Sequence, residues 1–292
     1  MNITLAENSG FCTGVKRADK FINSLIKEND GKIYTLGKLI HNRLYNENLA
    51  SQGVVSVEFS ELEEILENSE NEKIKLVIRT HGIEKDKELH LKSLAEKHPN
   101  FKVYDMTCPY VKRIHEIARS NTGRDTVFLL FCDPNHPEAK GIISYAEGEK
   151  YAFSSLDELK KIQIGKKVPI LCSQTTQNLL EFKKIKNFLK KLYTNLIFFD
   201  TICSVTEKRQ NEAVALAKKS DMMIVIGGRD SSNTHKLFDL CSKVCDATFW
   251  IESKDDLSGL ALPSEKNNIG ITAGASTPDD IILEVIKQWK KN

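Results

Sequence analysis

The stretch SGFCTGVKRA, residues 9–18, places a cysteine between two glycines and follows it with two adjacent basic residues. Two later stretches, YDMTCPYVKR (residues 104–113) and FFDTICSVTEKR (residues 198–209), repeat an apolar approach, a cysteine and a basic pair. The three cysteines, Cys12, Cys108 and Cys203, are 96 residues (12 to 108) and 95 residues (108 to 203) apart. This near-equal spacing indicates three copies of one structural unit.

Further polar positions recur in the same register, each at the end of an apolar run of strand length. The first set lies 29, 28 and 29 residues after the respective cysteine and consists of His41, His136 and Ser232. The second set lies 69, 67 and 73 residues after the cysteine and consists of His81, Thr175 and Ser276. Because two further features keep the register of the cysteines, the repeat extends over the whole chain.

Amphipathic helical patterns lie between the strand-like runs, for example Val111, Ile114, Ile117 and Ala118 after the second cysteine, and Val214, Leu216 and Ala217 after the third. Strands that alternate with such helices are typical of parallel sheets. The sequence therefore predicts an α/β fold of three units related by a pseudo-threefold repeat, with mostly parallel sheets. We place the units at residues 1–106, 107–201 and 202–292. Ligands of open parallel sheets bind beyond the carboxyl ends of the strands, so all nine repeated positions are predicted to face one site.

The bulk composition excludes several classes of protein. Lys and Arg number 42 and Asp and Glu number 40, so the net charge of +2 gives no reason to expect nucleic acid as a partner. No run approaches 18 apolar residues and the opening MNITLAENSG lacks an export signal, which predicts a soluble, cytoplasmic protein without a membrane partner. Four of the seven cysteines lie in apolar or helical runs and are interpreted as core packing: Cys132, Cys172, Cys241 and Cys245.

The other three cysteines are each expected at the N-terminus of a helix. Pro109 suits a first helical turn, Thr13 follows Cys12 as a cap, and Ser204 with Glu207 fits a capping box after Cys203. A helix N-terminus stabilises a thiolate, the form that binds metals. Taken alone, each cysteine is as well explained by packing; their recurrence in register favours a shared metal site.

Three thiolates could bind zinc or an iron–sulfur cluster, and the sequence fits the second kind of site better. Structural zinc normally has four protein ligands, often in CxxC pairs, and the chain contains no CxxC. Three cysteines can instead hold a cubane iron–sulfur cluster and leave the fourth iron open to substrate.

The six remaining repeat positions and the two neighbours of Ser232 supply groups that suit a phosphate or diphosphate. They are His41, His81, His136, Thr175, Ser231, Ser232, Asn233 and Ser276. Glu138, in the sequence HPE, is the best candidate for a proton donor, although an exposed loop acid explains it equally well. His90, His98, His115 and His235 lie outside the register and are assigned no role. Neither GxxxxGK[ST] nor a GxGxxG after a strand occurs, which disfavours nucleotide binding.

The motifs GFCTGVKRA, LIHN, THG, TCPYV, NHPE, QTT, DTICSVTEKRQ, SSN and TAGAST, in this order, resemble those of the 4-hydroxy-3-methylbut-2-enyl diphosphate reductase family, the last enzyme of the non-mevalonate isoprenoid route. The resemblance implies a 4Fe-4S cluster on Cys12, Cys108 and Cys203, and a two-electron, two-proton removal of the substrate hydroxyl that yields isopentenyl and dimethylallyl diphosphates plus water.

The resemblance also implies roles for the surrounding residues. Glu138 would donate the proton, with His136 and Thr175 in the hydrogen-bond network around the departing hydroxyl. The diphosphate would be held by His41, His81, Ser231, Ser232, Asn233 and Ser276, and ferredoxin or flavodoxin would supply electrons. Lys140 and Cys132 differ from the residues that the family usually has at these positions, and neither is one of the implied ligands.

Two other hypotheses are a non-catalytic three-cysteine metal or redox-sensing protein and a phosphate-binding module with buried thiols. The motifs HPE and QTT disfavour the first of these, and the repeat disfavours the second.

Overall fold

The computed structural model describes residues 2–69, 72–260 and 268–289. Within these ranges, the strands are β1 (Asn2–Leu5), β2 (Lys32–Leu36), β3 (Val54–Val57), β4 (Ile74–Ile78), β5 (Phe101–Asp105), β6 (Gly123–Phe131), β7 (Gly148–Phe153), β8 (Val168–Ser173), β9 (Ile197–Phe198), β10 (Met222–Ile226), β11 (Thr248–Ile251) and β12 (Asn268–Ala273).

The helices alternate with these strands, as the sequence predicts. They are α1 (Thr13–Glu28), α2 (Arg43–Ser51), α3 (Leu62–Glu67), α4 (Lys85–Lys97), α5 (Pro109–Asn121), α6 (Pro137–Tyr145), α7 (Leu156–Leu159), α8 (Leu179–Leu192), α9 (Ser204–Ala217), α10 (Ser232–Ser242) and α11 (Asp279–Trp289).

The strands form three four-stranded sheets in which every pairing is parallel. Their orders are β1-β12-β10-β11, β5-β4-β2-β3 and β9-β8-β6-β7. In each sheet the strand that leads to a cysteine lies at one edge, and the strand next to it leads to the second repeated polar position. The predicted class, three α/β units with parallel sheets, is confirmed.

The edge strand β1 belongs to the sheet formed by the last part of the chain. Its residues Asn2 and Leu5 pair with Asn268 and Ile271 of β12, so the first strand of the chain completes the last sheet. The other two sheets each lie within one of the predicted segments, 1–106 and 107–201. The segment boundaries themselves stay a prediction.

By density of contacts, the chain divides into two compact units. The first unit comprises Met1–Lys16, Ile40–Glu47 and Cys203–Asn292, and the second unit comprises Arg17–Leu39 and Asn48–Ile202. The first unit contains the sheet of β10, and the second contains the other two sheets.

The core of the first unit is a sheet covered on both faces. Met222, Ile224 and Ile226 of β10 pack on the side of α11, whereas Met223 and Val225 pack on the side of α9 and α10. This alternation follows from the two-residue period of a strand, and burial on both faces explains the uninterrupted apolar run MMIVI. Each such side chain contributes about 1.5–3 kcal/mol on burial.

The second unit repeats this arrangement around β6. Val127 and Leu129 pack with the apolar face of α8, and Phe128 and Leu130 pack with α5 and α6. The sheet of β4 is covered in the same way, with Leu76 packed against side chains of α3 and α4. Apolar packing therefore encloses the central strands β4, β6 and β10 up to their carboxyl ends, where repeated polar residues follow.

The apolar helix face predicted for α5 is confirmed, because its residues are all buried: Val111, Ile114, Ile117 and Ala118. The helix predicted around Val214, Leu216 and Ala217 is confirmed as α9; Ala217 is buried and the half-buried Leu216 packs against the core. The fully buried face of α9 consists of Thr206, Arg209, Gln210, Ala213 and Ala217. A mostly polar buried face requires hydrogen-bond partners from elsewhere in the chain, which periodicity alone does not reveal.

The four cysteines interpreted as packing residues are buried, as predicted: Cys132, Cys172, Cys241 and Cys245. Burial raises the pKa of the Cys132 thiol to about 12, so it stays protonated and behaves as a small apolar group. In the described part of the chain, no helix has both the length and the apolar character that crossing a membrane requires.

Candidate active site

All nine repeated positions follow the carboxyl end of a strand. Cys12, Cys108 and Cys203 follow β1, β5 and β9; the first set of polar positions follows β2, β6 and β10; and the second set follows β4, β8 and β12. Strands β3, β7 and β11, which lie at the opposite edge of each sheet, lead to none of them. The first unit contains Cys12, His41, Cys203, Ser231, Ser232, Asn233 and Ser276, and the second contains His81, Cys108, His136, Glu138 and Thr175.

Cys12 lies at the start of α1 in a closely packed loop. Its backbone N–H donates to the Ala275 carbonyl at 3.1 Å, and its own carbonyl accepts the first helical hydrogen bond from Lys16 at 2.8 Å. Gly10 has φ +78°, and a Cβ there would lie 2.5 Å from Oδ1 of Asp279 at the start of α11. The glycine before the cysteine is therefore required both by its backbone conformation and by this close approach.

Cys203 and Cys108 are the N-cap residues of α9 and α5. Each accepts the first backbone hydrogen bond of its helix, from Glu207 at 3.0 Å and from Lys112 at 2.9 Å. Pro109 occupies the first turn as predicted, but the capping box of Ser204 with Glu207 is wrong, because α9 begins one residue earlier than that motif requires. No disulfide involves any of the seven cysteines. Each of the three thiols thus lies where the helix dipole favours a thiolate.

A group of hydroxyls surrounds the N-terminus of α10 in the first unit. Ser231 caps this helix by accepting from the Thr234 N–H at 3.3 Å, and Ser276 Oγ lies 3.3 Å from Ser231 Oγ and donates to the His41 carbonyl at 3.1 Å. Ser231, Asn233 and Ser276 are all buried. Close packing fixes this group, since a Cβ on Gly228 would lie 2.6 Å from the His41 carbonyl oxygen.

The Asn233 amide is the least satisfied member of the group. Its Nδ2 is buried and has no hydrogen-bond partner among the described residues. An unmade hydrogen bond of this kind costs about 1–3 kcal/mol, so it points to a ligand that supplies an acceptor. Together with the positive end of α10 and the two serine hydroxyls, it suits an anion with several oxygens.

Glu138 in the second unit is a buried carboxyl held by a single residue. It lies in the first turn of α6 with 2 % of its surface exposed. Thr175 donates its backbone N–H to Oε1 at 2.7 Å and its hydroxyl to Oε2 at 3.0 Å. Burial raises the pKa of Glu138 to about 7, and the two bonds from Thr175 oppose this shift. A carboxyl with this pKa can give up or accept a proton near neutral pH.

His136 lies beside this carboxyl as the N-cap of α6. Its Nδ1 accepts from the Glu138 N–H at 3.2 Å, which assigns the proton of the neutral ring to Nε2. The ring of His81 meets that of His136 edge to face, with centroids 5.2 Å apart. The loop that carries His81 is tied to the loop of Cys108, whose N–H donates to the Thr80 carbonyl at 2.9 Å. The structure thus brings an acid, two imidazoles and a cysteine loop into one unit.

Comparison with known proteins identifies the family of this chain. The family described as LytB protein matches residues 3–290. A 4-hydroxy-3-methylbut-2-enyl diphosphate reductase from Caldanaerobacter subterraneus subsp. tengcongensis is 40% identical over 291 residues, which cover 99% of this chain and 97% of the relative. The chain belongs to the LytB family. The family resemblance of the motifs is therefore confirmed.

Two solved structures share the fold. A structure described as (E)-4-hydroxy-3-methyl-but-2-enyl diphosphate reductase, the terminal enzyme of the non-mevalonate pathway, has a TM-score of 0.66 and 32% identity and covers 100% of both chains. The E-1-hydroxy-2-methyl-but-2-enyl-4-diphosphate reductase from Plasmodium falciparum has a TM-score of 0.85 at 24% identity, and the match covers 98% of this chain and 87% of that one. The second likeness concerns the fold alone.

Sequence reasoning missed His115, which it assigned no role. The ring is buried, stacks on Tyr145 with centroids 4.2 Å apart, and lies so close to Gly82 that a Cβ there would be 2.9 Å from its Cε1. Burial lowers its pKa to about 4, so the ring is neutral. His115 therefore supports the loop of His81. Its position next to Ile114, on the apolar face of the predicted helix α5, was the sequence signal that could have indicated its burial.

Arg209 was also missed, because it was read only as half of a basic pair. It is 2 % exposed, and it donates from Nη1 to the Ala273 carbonyl and from Nη2 to the Gly10 carbonyl at 2.8 Å. Its neighbour Lys208 is exposed, as a cation in a helix usually is. The sequence carries no local signal that separates these two residues.

Proposed function

We propose that this protein is a 4-hydroxy-3-methylbut-2-enyl diphosphate reductase that converts its substrate to isopentenyl and dimethylallyl diphosphates plus water, with two electrons and two protons. Membership of the LytB family and the names of its relatives support the reaction. The structural observation that carries the proposal is the buried Glu138, held by Thr175 beside His136 with a pKa raised to about 7. Such a group is suited to deliver a proton to a departing hydroxyl.

We propose that Cys12, Cys108 and Cys203 hold a single 4Fe-4S cluster. The donor set fits this group, since all three are thiols outside any disulfide and each precedes the first turn of a helix. Three thiolates also match a cubane cluster that keeps one iron open. When bound, such a cluster supplies Lewis acidity at that iron and the electrons of the reduction. Ferredoxin or flavodoxin is the proposed electron donor, and the cytoplasm the proposed location.

The diphosphate is assigned to the group around the N-terminus of α10. Ser231, Ser232, Asn233 and Ser276 offer hydroxyl and amide donors, and His41 and His81 offer imidazoles. The buried Asn233 Nδ2 provides a donor that the described part of the protein leaves unused. Binding energy at this end of the substrate fixes the orientation of the allylic alcohol at the other end, where the chemistry takes place.

Glu138 and Thr175 move the proton. When Oε2 is protonated, the Thr175 hydroxyl accepts its hydrogen bond, and the hydroxyl's own proton can then point away from the carboxyl. The pair can thus pass a proton with little movement of heavy atoms. His136 directs its Nε2–H away from Glu138, because its Nδ1 is occupied by the Glu138 N–H, and it is assigned to the hydrogen-bond network around the hydroxyl.

Iron and sulfide content of anaerobically purified protein tests the proposal. Wild-type protein is expected to be brown, with close to four iron and four sulfide ions per chain by the stoichiometry of the cluster, and to reduce the diphosphate substrate with a chemical electron donor. Cys108→Ser should lose the colour and the activity. Cys245→Ala is the matched control, since it removes a thiol from the core rather than from the site. Colourless, iron-free wild-type protein after anaerobic reconstitution would contradict the proposal.

A further inference from the structure

Arg209 joins three segments of the first unit. It lies in the second turn of α9, the helix that begins after Cys203. One arm of its guanidinium donates to the carbonyl of Gly10, two residues before Cys12, at 2.8 Å. The other arm donates to the carbonyl of Ala273, the last residue of β12. The rigid fork of an arginine is suited to two such bonds at once.

A second contact reinforces the link between α9 and the segment that carries Cys12. Glu212, three residues after Arg209, accepts hydrogen bonds from the Asn8 backbone at 2.9 Å and from the Asn8 side chain at 2.8 Å. Residues three apart lie on one face of a helix. One face of α9, with the buried Arg209 and the half-buried Glu212, therefore holds the Cys12 loop at two successive points, Asn8 and Gly10.

The charge of Arg209 is unusual for a residue buried so completely. Burial lowers its pKa to about 10, while negative charge at Cys12, Glu212 and Cys203 acts in the opposite direction. The guanidinium remains a cation at neutral pH, and both cysteines of this unit lie within its electrostatic reach. A buried cation needs negative partners; Glu212 is one, and the two cysteines would be others when they hold the cluster as thiolates.

We infer that Arg209 is a positioning residue for the cluster: it fixes the Cys12 loop relative to Cys203 and provides a permanent positive charge beside their thiolates. This inference rests on the proposed function, because it requires a cluster on these cysteines. Hydrogen bonds and charges around a cluster set its reduction potential and its retention. A fixed cation favours the more negative, reduced state of the cluster, so Arg209 should raise the potential.

Three variants separate position from charge. Arg209→Met removes both, Arg209→Lys keeps the charge but lacks the rigid fork that bonds the two carbonyls, and Lys208→Met removes the exposed neighbouring cation as the matched control. The measurements are iron and sulfide per chain after anaerobic reconstitution, the rate of iron loss in air, and the midpoint potential of the loaded protein by mediated titration. Thermal unfolding reports whether each variant is folded.

Arg209→Met is expected to lose iron faster than the wild type. The equilibrium constant for reduction of its cluster should fall by at least about tenfold, which lowers the midpoint potential by about 59 mV for one electron. Arg209→Lys should keep a potential close to that of the wild type and still lose iron faster. Lys208→Met should match the wild type in both measurements.

Wild-type potential and retention in folded Arg209→Met would overturn the inference and leave the proposed function standing, since the cluster would still be present. Equal potential shifts in the Met and Lys variants would overturn the role of the charge. If Arg209→Met does not fold, Arg209→Lys decides, and iron loss no faster than in the wild type would overturn the inference. Wild-type protein that binds no iron would remove the proposed function as well.

Discussion

Two regions of the molecule carry polar residues just after the carboxyl ends of strands, but the chemical character of these residues differs between the regions. The region of Glu138 and Thr175 in the second unit is built around one buried titratable group, whose two oxygens are both occupied. The region of Ser231, Asn233 and Ser276 in the first unit combines uncharged side chains with a helix N-terminus, and its Asn233 Nδ2 has no partner within the described ranges. The first arrangement is suited to a proton transfer, and the second is suited to an anion. This difference implies that substitutions in the two regions affect different measurable quantities.

The largest expected effect is that of Glu138→Gln on turnover. An amide is nearly isosteric with the carboxyl but cannot deliver a proton, so kcat should fall by about 10²–10⁴-fold, the usual contribution of a general acid. Substrate affinity and iron content should stay within about twofold, because removing a proton donor leaves the binding interactions largely intact. Glu147→Gln, which changes an exposed acid just after α6, is the control. Near-normal turnover in Glu138→Gln would exclude Glu138 as the proton donor.

The second effect is a pH-dependent gain in stability from the same substitution. The pKa of Glu138 is about 7 in the folded protein against an ordinary value of 4.5, so between these pH values the folded state keeps a proton that the unfolded chain has lost. Rising pH therefore favours the unfolded state across this window, and the full penalty, about 3 kcal/mol, is present above pH 7. Glutamine carries no such penalty.

Urea unfolding of the iron-free proteins at pH 5 and pH 8 measures this difference. The free energy of unfolding of Glu138→Gln minus that of the wild type should increase by about 2.5 kcal/mol from the lower to the higher pH, because a small part of the penalty is already present at pH 5. Using the difference between the two proteins cancels groups that titrate equally in both. A difference that does not change with pH would show that Glu138 titrates at its ordinary pKa.

The third effect, in the other region, is on binding rather than on turnover. Asn233→Ala removes the unused amide donor, and a hydrogen bond to a charged oxygen is worth about 1.5–3 kcal/mol, so the Kd for the diphosphate substrate should rise by about 10–100-fold. The free protein should lose no hydrogen-bond energy on this substitution, because the amide donor has no partner among the described residues. Ser242→Ala, at the opposite end of α10, is the control. An unchanged Kd would show that Asn233 does not bind the diphosphate.

These two regions also show what a sequence can predict. The strand-like runs and the register of nine polar positions predict the parallel sheets and the edge that carries the site, because burial on both faces leaves an unbroken apolar run. The burial of Glu138 was not predictable, since it depends on Thr175, 37 residues away. Burial of Arg209 depends on carbonyls that lie 64 and 199 residues away. Likewise, nothing in the four residues of β1 identifies β12 as their partner.

The smallest expected effect concerns the hydroxyl of Thr175. Thr175→Val removes the bond to Oε2 but keeps the backbone N–H on Oε1, so the Glu138 carboxylate loses one of its two donors. Because both donors oppose the effect of burial, the pKa of Glu138 should rise further, by about one unit or less. The alkaline limb of the kcat profile should then move to higher pH, whereas Ser276→Ala should weaken substrate binding and leave that limb in place. A profile that moves in Ser276→Ala and not in Thr175→Val would reverse the assignment of the two regions.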